Sequence, residues 1–112
     1  MNQSEPSSNE GPTPSDFPFS NEPSQIGLEK IFASKGRVRI LKLLATEGEL
    51  NISKIAELSK LNHIATKKHL NLFTKAGLVE KKVFGRVKVF RFCVENLKAR
   101  AIKRLFEQWR TL

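Results

Sequence analysis

Residues 52–92 read ISKIAELSKLNHIATKKHLNLFTKAGLVEKKVFGRVKVFRF, and their centre, HIATKKHLNLFTKAG (residues 63–77), decides the fold. As a helix, the centre has one inward edge made by Thr66, Leu70, Phe73 and Gly77, spaced i, i+4, i+7 and i+11. Ile64, Lys68, Asn71 and Lys75 each precede one of these by two residues, which puts them on roughly the opposite face. Lys67 lies on the flank, and Gly77 stands where helices favour a left-handed closing residue. A helix of this kind buries one edge and holds an isoleucine, lysines and an asparagine outward.

Working toward the N-terminus, Ser53 is expected to cap a helix to about Ser59, with Ile55, Ala56 and Leu58 turned inward. Before it, ELNI is a short extended piece that follows Gly48. GLEKIFASKGRVRILKLLATEGE reads as helix broken near Ser34, with Val38, Leu41, Leu44 and Ala45 as its core stripe. Toward the C-terminus, LVEKKVF and VKVFRF are β-rich runs joined by Gly85-Arg86, a two-residue loop suited to a type II′ hairpin. Asn96 can cap a last helix, LKARAIKRLFEQWRTL. The expected class is α+β, mostly α: a three-helix core, a two-stranded hairpin and a C-terminal helix.

All five prolines fall within the first 23 residues, among Ser, Asn, Glu and Gly. Residues 1–24 therefore read as a disordered acidic tail, too poor in apolar surface to offset the entropy of ordering it. DFPF (Asp16 to Phe19) is its one hydrophobic feature and reads as incidental. The folded domain is expected over residues 25–112.

Charge separates the two parts. Glu5, Glu10, Asp16 and Glu22 lie in the tail, whereas residues 25–112 hold all 20 Lys and Arg, every one from Lys30 onward, and the other seven acids, an excess of 13. Such an excess on a small body implies a polyanionic partner, nucleic acid more often than an anionic membrane surface. The single cysteine, Cys93, excludes an internal disulfide and a multi-cysteine metal site, and it follows a strand-like run where a small buried hydrophobe is expected. With no signal segment and no apolar run of bilayer length, the chain is expected to be cytoplasmic. Neither a phosphate-cradling Gly loop, a nucleophile with a base, nor a carboxylate pair is apparent, so no enzyme is expected.

The stretch from Ile52 to Phe92 resembles the winged helix-turn-helix of prokaryotic transcription regulators, most nearly the ArsR-like (arsenical-resistance repressor) group. The resemblance covers about residues 28–112. Ile55-Ala56 matches the inner positions of the first motif helix, and Leu61 the apolar residue after the turn. His69-Leu70 matches the end of the family's V-S-R-H-L segment, and KAGLVE through FGRVKVFRF matches the helix exit and wing. Two positions depart from the pattern. Lys60 replaces the usual turn glycine at a modest steric cost, and Thr66 replaces a core Val, leaving a hydroxyl that needs a local backbone acceptor.

The resemblance implies that the third helix enters the major groove of double-stranded DNA. Base contacts then fall to Lys68 (guanine O6 and N7), Asn71 (adenine) and Ile64 (a thymine methyl). Lys67 and Lys75 would meet phosphate, as would Lys81, Lys82, Arg86 and Lys88 of the wing, where Arg86 sits at the tip and Arg91 adds charge. Phe90 and Phe92 share a strand face and are expected in the core. In the resembling family the first and last helices commonly form a dimer interface. Here Ile31 and Phe32 on one side, and Ile102, Leu105, Trp109 and Leu112 on the other, supply the matching surface. Metal sensing in that group needs clustered Cys, His or Asp ligands, and with His63 and His69 on different sides of one helix neither a metal nor another cofactor is expected.

The function so implied is a homodimeric, sequence-specific transcription regulator acting as a repressor on the nucleoid. Two alternatives share its features at this point: a non-specific DNA-coating protein of chromatin type, and a winged-helix protein-interaction module of a transcription assembly.

Overall fold

The computed structural model describes residues 25–112; the expected tail, with its DFPF, lies outside the described residues. Short polar side chains set where four helices begin. Ser34 Oγ accepts from the Arg37 N–H (3.2 Å) at the start of α2, Lys35–Glu47, after a single turn, α1, at Leu28–Ile31. Asn51 Oδ1 accepts from Lys54 N–H (2.8 Å) before α3, Ile52–Ser59, and Asn62 Oδ1 from Ala65 N–H (2.7 Å) before α4, His63–Lys75. Asn96 Oδ1 takes two amides, those of Lys98 (2.8 Å) and Ala99 (3.0 Å), before α5, Leu97–Thr111. Each cap contributes ~1 kcal/mol by satisfying amides that the helix itself cannot. The cap of α3 is thus Asn51, not Ser53. Starting the helix at Ile52 buries that side chain in the core and leaves Ser53 exposed in the first turn.

The helix-turn-helix is closed by two left-handed residues. Lys60 adopts φ 58°, ψ 43°, and around it Leu61 N–H reaches Ala56 O (3.1 Å) and Lys60 N–H reaches Glu57 O (3.2 Å). Gly77, at φ 79°, does the same after α4, where Leu78 N–H bonds Phe73 O (2.9 Å) and Gly77 N–H bonds Thr74 O (3.1 Å). Both ends carry the crossed pair of bonds that satisfies the last carbonyls of a helix. The hydroxyl of Thr66, wholly buried, donates back to Asn62 O at 2.9 Å, so its place in the core leaves no polar atom unmet.

The sheet has three strands rather than the two expected. β1 (Glu49–Asn51), β2 (Val79–Phe84) and β3 (Val87–Phe92) lie in the order β1-β3-β2, all antiparallel. The ELNI segment earns its extended form by pairing with the wing: Glu49 faces Arg91, Leu50 faces Phe90 and Asn51 faces Val89. Gly85 alone of the two turn residues has a positive φ (62°), as a type II′ turn requires, and Phe84 faces Val87 across it.

Ile40, Leu41, Leu44, Ile55, Leu70, Phe73, Leu78, Val79, Phe90 and Phe92 form one core between the helices and the inner face of the sheet. Two expected core positions differ. Leu58 is exposed, because the inward edge of α3 runs Ile52, Ile55, Ser59 and leaves Leu58 beside it. Val38 is only half-buried, and Ile40 occupies the interior in its stead. No helix among the described residues is long and apolar enough to cross a membrane.

Candidate nucleic-acid interface

Along α4 the two faces separate as the periodicity requires. Thr66, Leu70 and Phe73 are buried, while Ile64 is 82% exposed and Lys67, Lys68, Asn71 and Lys75 all reach solvent. The helix HIATKKHLNLFTK contains no acid, so its outer face carries only positive charge and neutral donors and acceptors. An apolar side chain left in water between cations fits a surface that meets both base edges and phosphates. His63 shares this exposure at the first position of the helix. Periodicity did not single it out; the Asn62 cap does, because it makes His63 the first residue of the helix.

A brace from α2 holds α4 in place. The Arg37 Nε donates to His69 Nδ1 at 3.3 Å, while its Nη1 donates to the Lys30 carbonyl, so one guanidinium joins α1, α2 and α4. His69 is correspondingly kept neutral: burial, then the charges of Arg37 and Lys68, lower its pKa below the ordinary 6.5.

The cations of the wing divide by strand face. On the face that also carries the core residues Phe90 and Phe92 lie Lys81 and Lys88, with Val83 opposite Lys88. The outer face carries Lys82 and Arg91. Lys82 pairs with Glu49 of β1 at 3.4 Å, and Arg91 is gripped by Glu80 (2.9 Å) and Glu95 (2.8 Å). The Arg91 guanidinium holds the Glu95 carboxyl down to about 2, and both acids in turn push the arginine's own pKa up. Arg91 therefore staples β2, β3 and the approach to α5, and Lys82 is partly neutralised; Lys81, Arg86 and Lys88 remain outside any ion pair among the described residues. Arg86 is exposed in the turn itself.

Helix α5 uses two edges. Ala99 and Ile102 are buried in the chain's own core, and Phe106 packs on Phe32 with ring centroids 6.3 Å apart. Beside that edge Leu97, Ala101, Leu105, Trp109 and Leu112 form an exposed stripe, with Trp109 75% and Leu112 93% exposed. Ile102 and Ile31, assigned to an interface from sequence, are thus interior residues of this chain, and Phe32 is half-buried against Phe106. Leu97 and Ala101 take their place on the open edge. Cys93 is buried, which pushes its thiol pKa up, and no group of three or more His, Cys, Asp or Glu able to hold a metal ion occurs among the described residues. His69, with Nδ1 already accepting from Arg37, is a poor candidate ligand.

Caps, left-handed turn, exposed basic helix and hairpin together define a winged helix-turn-helix DNA-binding domain, a class of transcription regulators and not of enzymes. The family model of the bacterial regulatory protein, arsR family, matches residues 34–81. The chain is similar to a possible transcriptional regulator for arsenical resistance, at 30% identity over 71% of this chain and 80% of that one, with a TM-score of 0.55. It is also similar to the homodimeric winged helix-turn-helix DNA-binding domain of a possible ArsR-family regulator from Mycobacterium bovis (29% identity, 73% and 70% covered, TM-score 0.56). HlyU from Vibrio cholerae shares the fold, with a TM-score of 0.67 at 20% identity over 80% of this chain and 94% of that one. No curated protein matches. The chain belongs to the arsR family of transcription regulators.

Proposed function

We propose that this regulator is a homodimeric repressor that occludes its operator in the cytoplasm, reading it with the outer face of α4. The observation that carries this is the exposed, acid-free face of α4, where Ile64, Lys68 and Asn71 stand outward over a fully buried edge. Lys68 donates to guanine and Asn71 pairs with adenine, while Ile64 meets a thymine methyl. Lys67, Lys75, Lys81, Arg86 and Lys88 neutralise phosphates and set register, with Lys82 contributing less because Glu49 shares its charge. Residues 25–112 act as the DNA-binding unit, and the acidic segment 1–24 is dispensable for it.

Dimerisation is supported by the open stripe Leu97, Ala101, Leu105, Trp109 and Leu112 and by the homodimeric relative from Mycobacterium bovis. The experiment is selection of bound fragments from genomic DNA followed by footprinting. A defined footprint with two half-sites supports the reading. Equal retention of all fragments would replace it with non-specific coating.

A further inference from the structure

The end of the wing combines apolar and basic character in an unusual way. Val83, Phe84 and Val87 are 59%, 60% and 49% exposed around the turn that holds Arg86. Phe84 and Val87 face each other directly, with half-buried Val89 two residues along the same outer face. Phe73, Phe90 and Phe92 are buried and Phe32 and Phe106 half-buried, so among the described phenylalanines Phe84 alone is exposed. The acids near the hairpin, Glu49, Glu80 and Glu95, are all held at its base by Lys82 and Arg91. What remains at the tip is an apolar knob beside Arg86: Phe84 and Val87 on the outer face, with Val83 and Lys88 on the opposite face just behind the turn.

We propose that Phe84, backed by Val87, is a wedge that enters the DNA minor groove beside Arg86 and partly opens one base step, bending the duplex. This rests on the DNA-binding reading above and adds how the bound DNA is shaped. The occupant of such a knob must be apolar where it meets Phe84 and anionic at the rim. An opened base step between two phosphate rails has that distribution, and apolar side chains on minor-groove proteins, β-ribbon arms among them, use it to kink DNA. Arg86 suits the same groove, whose negative potential deepens where it narrows. Because unstacking is easiest at pyrimidine–purine steps, the wedge selects TA or CA/TG at a position where no base is hydrogen-bonded.

The test uses duplexes recovered by the genomic selection, end-labelled for energy transfer and carrying the adenine analogue 2-aminopurine at successive positions of the flank. Binding of the full chain is expected to shorten the end-to-end distance and brighten the analogue at one step per wing. Phe84→Ala is expected to abolish both signals and keep the salt slope, since it removes no phosphate contact. Phe84→Leu, still an apolar wedge, is expected to retain them. Phe84 is exposed, so neither change disturbs the core. A tight, sequence-selective complex that stays straight and dark overturns the wedge and leaves the regulator standing. A Phe84→Ala complex as bent and bright as the parent also overturns it, and assigns the knob to a protein contact. Failure to bind any duplex removes the DNA reading itself.

Discussion

Ser59 is 2% exposed, and its hydroxyl finds no hydrogen-bond partner among the described residues. A buried hydroxyl stripped of water costs about 1–3 kcal/mol when nothing replaces the lost bond. Ser59→Ala removes that cost without opening a large cavity, and we expect it to stabilise the fold by ~1 kcal/mol in urea titration. An equal or lower midpoint would mean that the hydroxyl is hydrated. His69 makes a pH-dependent contribution of determinate sign. Its folded pKa lies below 6.5, so as the pH falls through 6.5 the unfolded chain takes the proton first. Stability is therefore full above 6.5 and declines below it until the folded histidine is also charged. His69→Gln, whose side-chain oxygen can still accept from Arg37 Nε, should flatten that decline in denaturation measured across the range. A parallel decline in the variant would place the titration elsewhere.

The elements differ in how far their sequence discloses them. Helix α4 is legible because a single turn periodicity separates Leu70 and Phe73 from Lys68 and Asn71, and nothing outside the helix is needed to assign either face. Strand β1 is not, since three residues acquire their conformation only from β3, some forty positions later in the chain. With β1 went the Glu49–Lys82 pair, and hence the reduced charge of a lysine that sequence alone ranks with Lys81. Two predictions belong to these elements. Lys68→Ala and Asn71→Ala should each weaken cognate binding by ~1–3 kcal/mol and blur preference at one or two base pairs, while binding to random DNA changes less. Equal losses on both would remove α4 from the groove. Arg86→Ala should instead lower affinity for all sequences and reduce the salt slope by about one per wing, as read by titration over a range of salt. An unchanged slope with a new base preference would show that Arg86 reads sequence.

At the scale of the whole molecule, the proposed dimer rests on the open edge of α5. Seven apolar residues of that helix look alike in sequence; only the core around Ala99 and Ile102, and the Phe32–Phe106 contact, show which edge stays at home. The other edge ends in Leu105, Trp109 and Leu112, and it flanks a groove of about 640 Å³ between α2 and α5 whose walls include Val38, Ala45 and Phe106. Moving a large apolar side chain out of water contributes ~1.5–3 kcal/mol, so a stripe of this size favours a second copy strongly enough to matter at micromolar concentration. A two-fold axis through it would place two α4 helices about one turn of DNA apart, roughly 34 Å, and would require an inverted repeat in the operator. Trp109→Asp puts a charge into that contact while leaving the buried edge of α5 untouched. It is expected to give a folded monomer with sharply weaker DNA binding, because each half-site is then bound alone. Equilibrium sedimentation of the parent, of a form lacking residues 1–24 and of the Trp109 variant measures this directly. The first two should dimerise alike and the third should not. If the parent stays monomeric at high micromolar concentration, the exposed edge of α5 serves something other than self-association, and the inverted repeat loses its basis.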